Sequence, residues 1–303
     1  MTLHHGALVL DKPSGPTSFK AMRVAQRALG EKTAGHGGTL DPMASGVLVV
    51  LLGEATKLSA QVMDHTKSYD AEVRLGVGTD TLDADGEVTA EAPIPPAALE
   101  WATIEALLPR FVGHVLQVPP RYSALKVEGR TNMSRARAGE DFDVAARAAH
   151  CIALTLIEMR PAGFLLRVDC GKGYYVRSLA RDLGEALGVP AHLAALRRTR
   201  VGAFGLERAV LPEAATAGAV IAIPDMLPEL AQVVVHGAEL AALRAGRTIL
   251  APAGYVAALA LAITPERVPV ALVVPVAANG TSRLKVQRGF ALGAATLATQ
   301  PND

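Results

Sequence analysis

Apolar and polar positions alternate with two periods along this chain, and the changes between them mark out its elements. Ala7 to Leu10 is a short apolar run that stops at Asp11-Lys12-Pro13-Ser14-Gly15-Pro16, a dense group of turn formers. Thr17 or Ser18 then caps a helix reaching Leu29, with Phe19, Met22, Ala25 and Leu29 at helical spacing and Gly30 as the stop. The Gly-rich stretch Ala34 to Gly46 leads into Val47 to Leu52, a continuous apolar run of the kind that forms a strand buried on both faces. Tyr69 to Val77 alternates, with Ala71, Val73, Leu75 and Val77 on one side and Asp70, Glu72 and Arg74 on the other.

Further along, Pro95-Pro96 precedes a helix carrying Leu99, Ile104, Leu107, Leu108 and Phe111, ended near Gly113. Strands are expected at Ile152 to Ile157 and at Phe164 to Cys170, the second with Phe164, Leu166, Val168 and Cys170 on one face. A helix from about Tyr175 to Leu187 turns Val176, Leu179, Ala180, Leu183 and Leu187 inward and stops at Gly188 and Pro190. Ala209 to about Leu230 is Ala/Pro-rich without clear period and reads as a linker. Beyond it, short strands at Val233 to Val235 and Val268 to Val276 between Gly and Pro turns suggest a small, mostly β unit. Strands and helices alternate without regular βαβ units, which favours an α+β fold over a doubly wound parallel sheet. The expected division is residues 1–230 and 231–303.

Composition sharpens this only in places. Half of the 303 residues are hydrophobic, so a substantial core can form. Aromatics are only 4%, so each tyrosine position carries information. With 30 basic and 29 acidic side chains, any polyanion must be met by locally gathered charge. Cys151 and Cys170 have neither metal-ligand spacing nor a disulfide framework and read as free thiols. The first residues, MTLHHGALVLDKPSG, lack the basic and apolar regions of a secretion signal, so none is expected, and the most apolar stretch, Ala251 to Thr264, is too short to span a bilayer. A cytoplasmic protein is expected.

Three features could carry chemistry. Asp41, in GHGGTLDPMASG, precedes a proline that biases it towards extended backbone, and small neighbours leave room for a bulky substrate. A carboxylate there can serve as a nucleophile or as an electrostatic partner, although a loop Asp-Pro is more often only a turn former. Tyr69, Tyr122, Tyr174 and Tyr175 all lie within three residues of a basic side chain, an arrangement that suits unstacked nucleobases as well as ordinary packing. Positive charge gathers at Arg121, Lys126, Arg130, Arg135 and Arg137, at Arg197, Arg198 and Arg200, and at Arg177 with Arg181. The segment Thr79 to Glu87 fails as a calcium loop on spacing and reads as a polar turn.

Taken in order, Lys12-Pro13 with Gly15, AGHGGTLDPMASGVL, LGEATK, KSYDAEVRLGVGTDTLDADG, PPRYSALKVEGR and GKGYYVRSLARDLG resemble the bacterial tRNA pseudouridine-55 synthase family, TruB, over roughly residues 7–208. The resemblance implies a mixed, mainly antiparallel sheet flanked by helices, a tRNA-gripping insert at about 121–147, and a small β-rich PUA-like RNA-binding domain at the C-terminus. It implies isomerisation of the TΨC-loop uridine without metal, nucleotide or redox cofactor, and a tRNA partner with no obligatory protein partner, the enzyme acting as a monomer. Asp41 is similar to the family's catalytic aspartate and Tyr69 to the tyrosine that stacks on the target base and helps remove its proton. Arg177 resembles the arginine paired with the catalytic carboxylate. Tyr175 matches an aromatic lining the pocket, and Lys12 and His36 match positions near the active site and the substrate backbone. Arg121 and Lys126 fall where the insert meets RNA. The segment TNMSRARAG departs from the pattern, because it lacks the aromatic usual in that insert.

Rival readings are a non-catalytic RNA-binding or folding protein of the same fold, a guide-RNA-dependent relative, and a glycosidase. The last needs a second positioned carboxylate, for which only Asp80, Asp83 and Asp85 are candidates.

Overall fold

The computed structural model describes residues 4–127, 129–278 and 280–292. Its centre is a ten-stranded sheet. Eight strands form the path Ile221–Ala222, Gly6–Lys12, Ser45–Leu52, Ala191–Val201, Lys67–Leu75, Gly163–Cys170, Arg147–Arg160 and Gly113–Gln117. Ala34–His36 and Phe204–Gly205 pair alongside this path. Every pairing is antiparallel except that of Ser45–Leu52 with Ala191–Val201, which is parallel over Ser45↔Arg197 and Gly46↔Arg198. The expected α+β class with a mixed, mainly antiparallel sheet holds.

The continuous apolar run at Val47–Leu52 has a direct cause. Leu48, Val50 and Leu52 enter one core with Leu8, Leu10, Ala71, Val73, Phe164, Leu166 and Val168. Val47, Val49 and Leu51 enter a second core on the other face, with Ala7, Val9, Leu58 and Val62. That second core also takes in Leu261, Ile263 and Leu272 from a separate five-stranded sheet. The smaller sheet runs Ala231–Val234, Ala260–Ile263, Pro269–Ala278, Thr281–Gly289 and Ile249–Leu250, with a helix at Gly237–Arg244. Polar ties reinforce the contact: Lys57 Nζ donates to the Gly289 carbonyl at 2.9 Å, and Ala291 N donates to Glu54 at 2.6 Å.

Three details differ from the sequence expectation. The first helix, Ser18–Ala28, is capped by Thr17 and followed by Gly30 at φ 65°, yet Phe19 points outward at 62% exposure. Ser18 is turned inward instead, so the buried stripe is Ser18, Ala21, Met22, Ala25 and Gln26. The helix after Pro96 is broken into a 3-10 turn, Trp101–Leu107 and a second 3-10 turn containing Pro109. Ala209 to Leu230 is no linker: Ile221–Ala222 adds an edge strand beside Gly6–Ala7, and Ile223, Met226 and Leu227 are buried.

The insert folds as a small unit of its own. Lys126–Val127 pairs with Arg130–Thr131, and the helix Asn132–Arg137 follows, capped by Thr131. An aromatic ring does enter this unit from further along the chain: Phe142 lies 4.9 Å from the Arg121 guanidinium and 4.0 Å from that of Arg135.

Candidate active site

Asp41 lies on the loop joining Ala34–His36 to Ser45–Leu52, and every tie on that loop can be named. Ser18 Oγ donates to the Leu40 carbonyl and accepts from Leu40 N, both at 2.8 Å. This is the reason the first helix turns Ser18 rather than Phe19 inward. The buried Lys12 Nζ donates to the carbonyls of Pro13 (2.9 Å), Pro16 (2.8 Å) and Pro42 (3.2 Å), bracing the turn before the first helix against the residue after Asp41. Gly15 N adds a 2.8 Å bond to the same Pro42 carbonyl. At the loop's end Gly46 has φ 98°, and a Cβ there would sit 2.2 Å from the Arg198 carbonyl oxygen, so only glycine fits.

Arg177 comes from the first turn of the helix Val176–Ala186, and its side chain is 8% exposed. The Nη2 atom stands 3.0 Å from Asp41 Oδ2 and donates to the Tyr122 carbonyl at 2.9 Å. Nη1 stands 3.2 Å from Asp83 Oδ2 and donates to the Thr81 carbonyl at 2.9 Å. One guanidinium therefore carries two carboxylates and two carbonyls through its two terminal nitrogens. The start of that helix is fixed in turn by Gln117, whose amide accepts from Tyr175 N (3.0 Å) and donates to Tyr175 O (3.2 Å).

Asp83 is the partner that the reading of 79–87 as a polar turn misses. It is buried, and it accepts from Thr81 Oγ1 at 2.6 Å and from Asp85 N at 3.1 Å. Leu82 at φ 62° and the bonds Leu193 N to Leu82 O and Ala84 N to Leu193 O dock this turn on the main sheet. The sequence signal was present only as an unusual density of Thr and Asp.

The electrostatics set the two aspartates apart. Asp41 keeps 30% side-chain exposure against 6% for Asp83, so of the two it is the one open to solvent. Burial pushes the Asp41 carboxyl above the usual carboxylate range; Arg177 and Lys12 oppose that, while Asp83 and Asp85 add to it. Lys12 is drawn down to about 8 by burial and by Arg198, against the pull of Asp41. Burial, with Arg198 nearby, also lowers His36. Tyr69, opposite Arg198 across the sheet, is pushed up by burial while the charge and hydrogen bond of Arg198 pull it down.

Asp41, Arg177, Tyr69 and Lys12 are thus brought together. His36 sits on the short strand before the loop, and Tyr175 immediately precedes the Arg177 helix. Arg121 lies apart in the insert, bonded to the Glu140 carbonyl (2.9 Å) and Asp141 (3.3 Å), and Lys126 is on that insert's first strand. The proposed basic knots largely dissolve. Arg198 is 2% exposed, Arg197 is held by both oxygens of Asp11 (3.0 and 2.8 Å), and Arg181 is paired with Asp182 at 2.6 Å. Tyr174 turns into the core, and its hydroxyl pKa is raised by burial. Among the described residues no three His, Cys, Asp or Glu side chains converge as a metal site, and no helix is long and apolar enough to cross a membrane.

A wide, mixed and mainly antiparallel sheet of this kind is the fold of the pseudouridine synthases. A chain of a Cbf5–Nop10–Gar1 complex shares it at TM-score 0.71 and 27% identity, over 96% of this chain and 85% of that one. A chain of an H/ACA RNP bound to a substrate RNA containing 2'-deoxyuridine shares it at TM-score 0.69 and 26% identity, over 94% and 84%. Residues 26–176 match the TruB family pseudouridylate synthase N-terminal domain, and residues 177–219 the tRNA pseudouridylate synthase B C-terminal domain. The chain is 42% identical over 256 residues to tRNA pseudouridine synthase B of Aromatoleum aromaticum, covering 82% of each. It is 47% identical over 225 residues to that of Cupriavidus metallidurans, covering 74% of this chain and 71% of the relative. The protein belongs to the TruB family of pseudouridine synthases.

Proposed function

We propose that this enzyme isomerises the TΨC-loop uridine of tRNA, position 55, to pseudouridine, with Asp41 as its catalytic carboxylate. The observation that carries this is the Asp41–Arg177 pair at 3.0 Å, in which the arginine is buried and anchored while the aspartate alone is open. The names of the relatives support tRNA as the substrate, and the position within it comes from the motif resemblance.

The reaction balances without any redox step. The N1–C1′ bond breaks, the base rotates and C5 bonds to C1′; the C5 proton leaves and N1 gains one. A uridine in a folded loop must first be flipped out, at about a few kcal/mol. Tyr69 stacks on the extruded base and helps to take the C5 proton, and Tyr175 lines the pocket. Arg177 holds Asp41 ionised and aimed, against the burial that favours its neutral form. His36 flanks the site beside the RNA backbone, whereas Lys12, expected there too, is fully buried and braces the Asp41 loop instead of meeting RNA. Arg121, Lys126 and the insert at 121–147 grip the tRNA arm, and residues 231–303 form a PUA-like RNA-binding domain beside a catalytic domain of 1–230. The enzyme acts as a cytoplasmic monomer without an obligatory protein partner.

The test is an unmodified tRNA transcript incubated with the protein and no added cofactor, with pseudouridine mapped at single-nucleotide resolution beside Asp41→Asn. Product at the TΨC uridine from wild type alone is expected. Tight binding without product from either protein would replace this reading with a non-catalytic tRNA-binding role.

A further inference from the structure

Arg198 is the largest fully buried side chain of the molecule and has no place in the chemistry above. It lies on the strand Ala191–Val201, where it pairs with Gly46 on one side and with Tyr69 on the other. Its Nε donates to the Val47 carbonyl at 2.7 Å, Nη2 to Gly38 at 3.1 Å and Nη1 to Thr39 at 3.4 Å. All three are main-chain acceptors, and among the described residues no carboxylate forms an ion pair with it. Burying a guanidinium without a counter-ion opposes folding, so packing alone does not account for it.

The acceptors explain what the charge is used for. Gly38 and Thr39 lie just before Asp41 and Val47 lies just after the loop, so one side chain grips both ends of the segment that presents the carboxylate. On its other flank the strand register sets Arg198 directly opposite Tyr69, whose hydroxyl the positive charge pulls down against burial. The planar fork lets one group serve all three carbonyls while its strand lies against that of Tyr69.

We propose that Arg198 is a positioning residue for the isomerisation: it fixes the Asp41 loop and orients the Tyr69 hydroxyl, so that both meet one flipped uridine at a set distance. This rests on the roles given above to Asp41 and Tyr69. Arg198 itself is too deeply buried to touch RNA, so its loss acts on the chemical step and leaves tRNA affinity in place.

The experiment uses full-length Arg198→Lys and Arg198→Gln, the second removing the buried charge in case the first folds poorly. Tritium release from tRNA carrying [5-³H]uridine is followed under single turnover with enzyme saturating, beside filter-binding Kd values and thermal melts. Either variant that melts cooperatively should lose about 100-fold in rate with Kd within about threefold, a split that general loosening of the fold would not give. Combined with Tyr69→Phe, the loss should be well below the product of the two single losses. Hydrogen exchange across residues 38–44 of the free protein should quicken in both variants, a readout independent of catalysis. A wild-type rate, a loss confined to Kd, or unchanged exchange at 38–44 overturns the proposal. A wild type that releases no tritium would instead fault the assigned reaction, with the exchange result still deciding whether Arg198 holds the loop.

Discussion

Asp83→Asn is the most informative single change, because it keeps the shape of the site while altering its charge. Asparagine can retain the bonds from Thr81 Oγ1 and Asp85 N through its amide oxygen, so the turn should stay docked. What is lost is the carboxylate 3.2 Å from Arg177. At an effective dielectric of about 20 that attraction is roughly 5 kcal/mol. It is partly offset: held on two nitrogens of one guanidinium, the Asp41 and Asp83 carboxylates stand roughly 6 Å apart and repel by about 2–3 kcal/mol on the same scale. The net loss is therefore about 2–3 kcal/mol, matching the value expected for a hydrogen bond to a charged group.

If that loss falls on the geometry needed for the chemical step, the single-turnover rate drops by about 30- to 150-fold. A second consequence has a definite sign. Asp83 raises the Asp41 carboxyl, so removing it should shift the acid limb of the pH–rate profile to lower pH even as the plateau falls. The assay is tritium release from tRNA carrying [5-³H]uridine between pH 4.5 and 8, with tRNA Kd measured in parallel. A plateau within threefold of wild type, or an acid limb that moves upward, would refute this account of the shared guanidinium.

Other outcomes follow from the same network. For Asp41→Asn, the sign follows from a folded-state carboxyl that lies above its ordinary value. The group's stabilising contribution is full below the unfolded pKa and is lost as pH rises through the folded one, so the charge opposes folding at neutral pH. The variant should be inactive yet melt at or above the wild-type Tm at pH 7, with the difference vanishing towards pH 4. Lys12, drawn down to about 8, should give a rate that falls above that pH as the ammonium loses a proton and its hold on Pro42 weakens. Thermal stability should rise over the same interval, between about 8 and the ordinary lysine value of about 10.4, because the unfolded chain there binds more protons. Phe142→Ala removes the ring between Arg121 and Arg135, two contacts of about 0.5–1 kcal/mol each at an exposed site. It should weaken tRNA binding severalfold by filter assay while leaving the rate at saturating enzyme unchanged.

How much of this was legible in the sequence depended on whether the signal was local. Val47–Leu52 and Phe164–Cys170 declare themselves because burial on two faces, or on one, writes directly into residue type along a strand. The limits of the first helix are equally local, set by Thr17 and Gly30, but its rotation is not. Which face turns inward was decided by Ser18 reaching Leu40 on another segment. Ala209–Leu230 lacked a period because 3-10 turns and a two-residue strand impose none, although its apolar side chains still find the core. The site shows the same division. Asp41 could be singled out by its setting, but the difference between a turn former and a reactive group lies in Arg177, brought from a distant helix. Arg198 looked like surface charge because its neighbours Arg197 and Arg200 are arginines too. Alternation along the strand separates Arg198 from Arg197, and the register shift between Arg198 and Arg200 takes Arg200 out of phase, so the middle charge alone goes under the Asp41 loop. Asp83 left only a weak local mark, a density of Thr and Asp that does not single it out: its carboxylate matters because Leu82 and Ala84 pair with Leu193, which sets the turn down beside Arg177. Groups that act through a shared partner must be read from the pairing that brings them to it, and for Asp83, Arg177 and Arg198 that pairing is long-range.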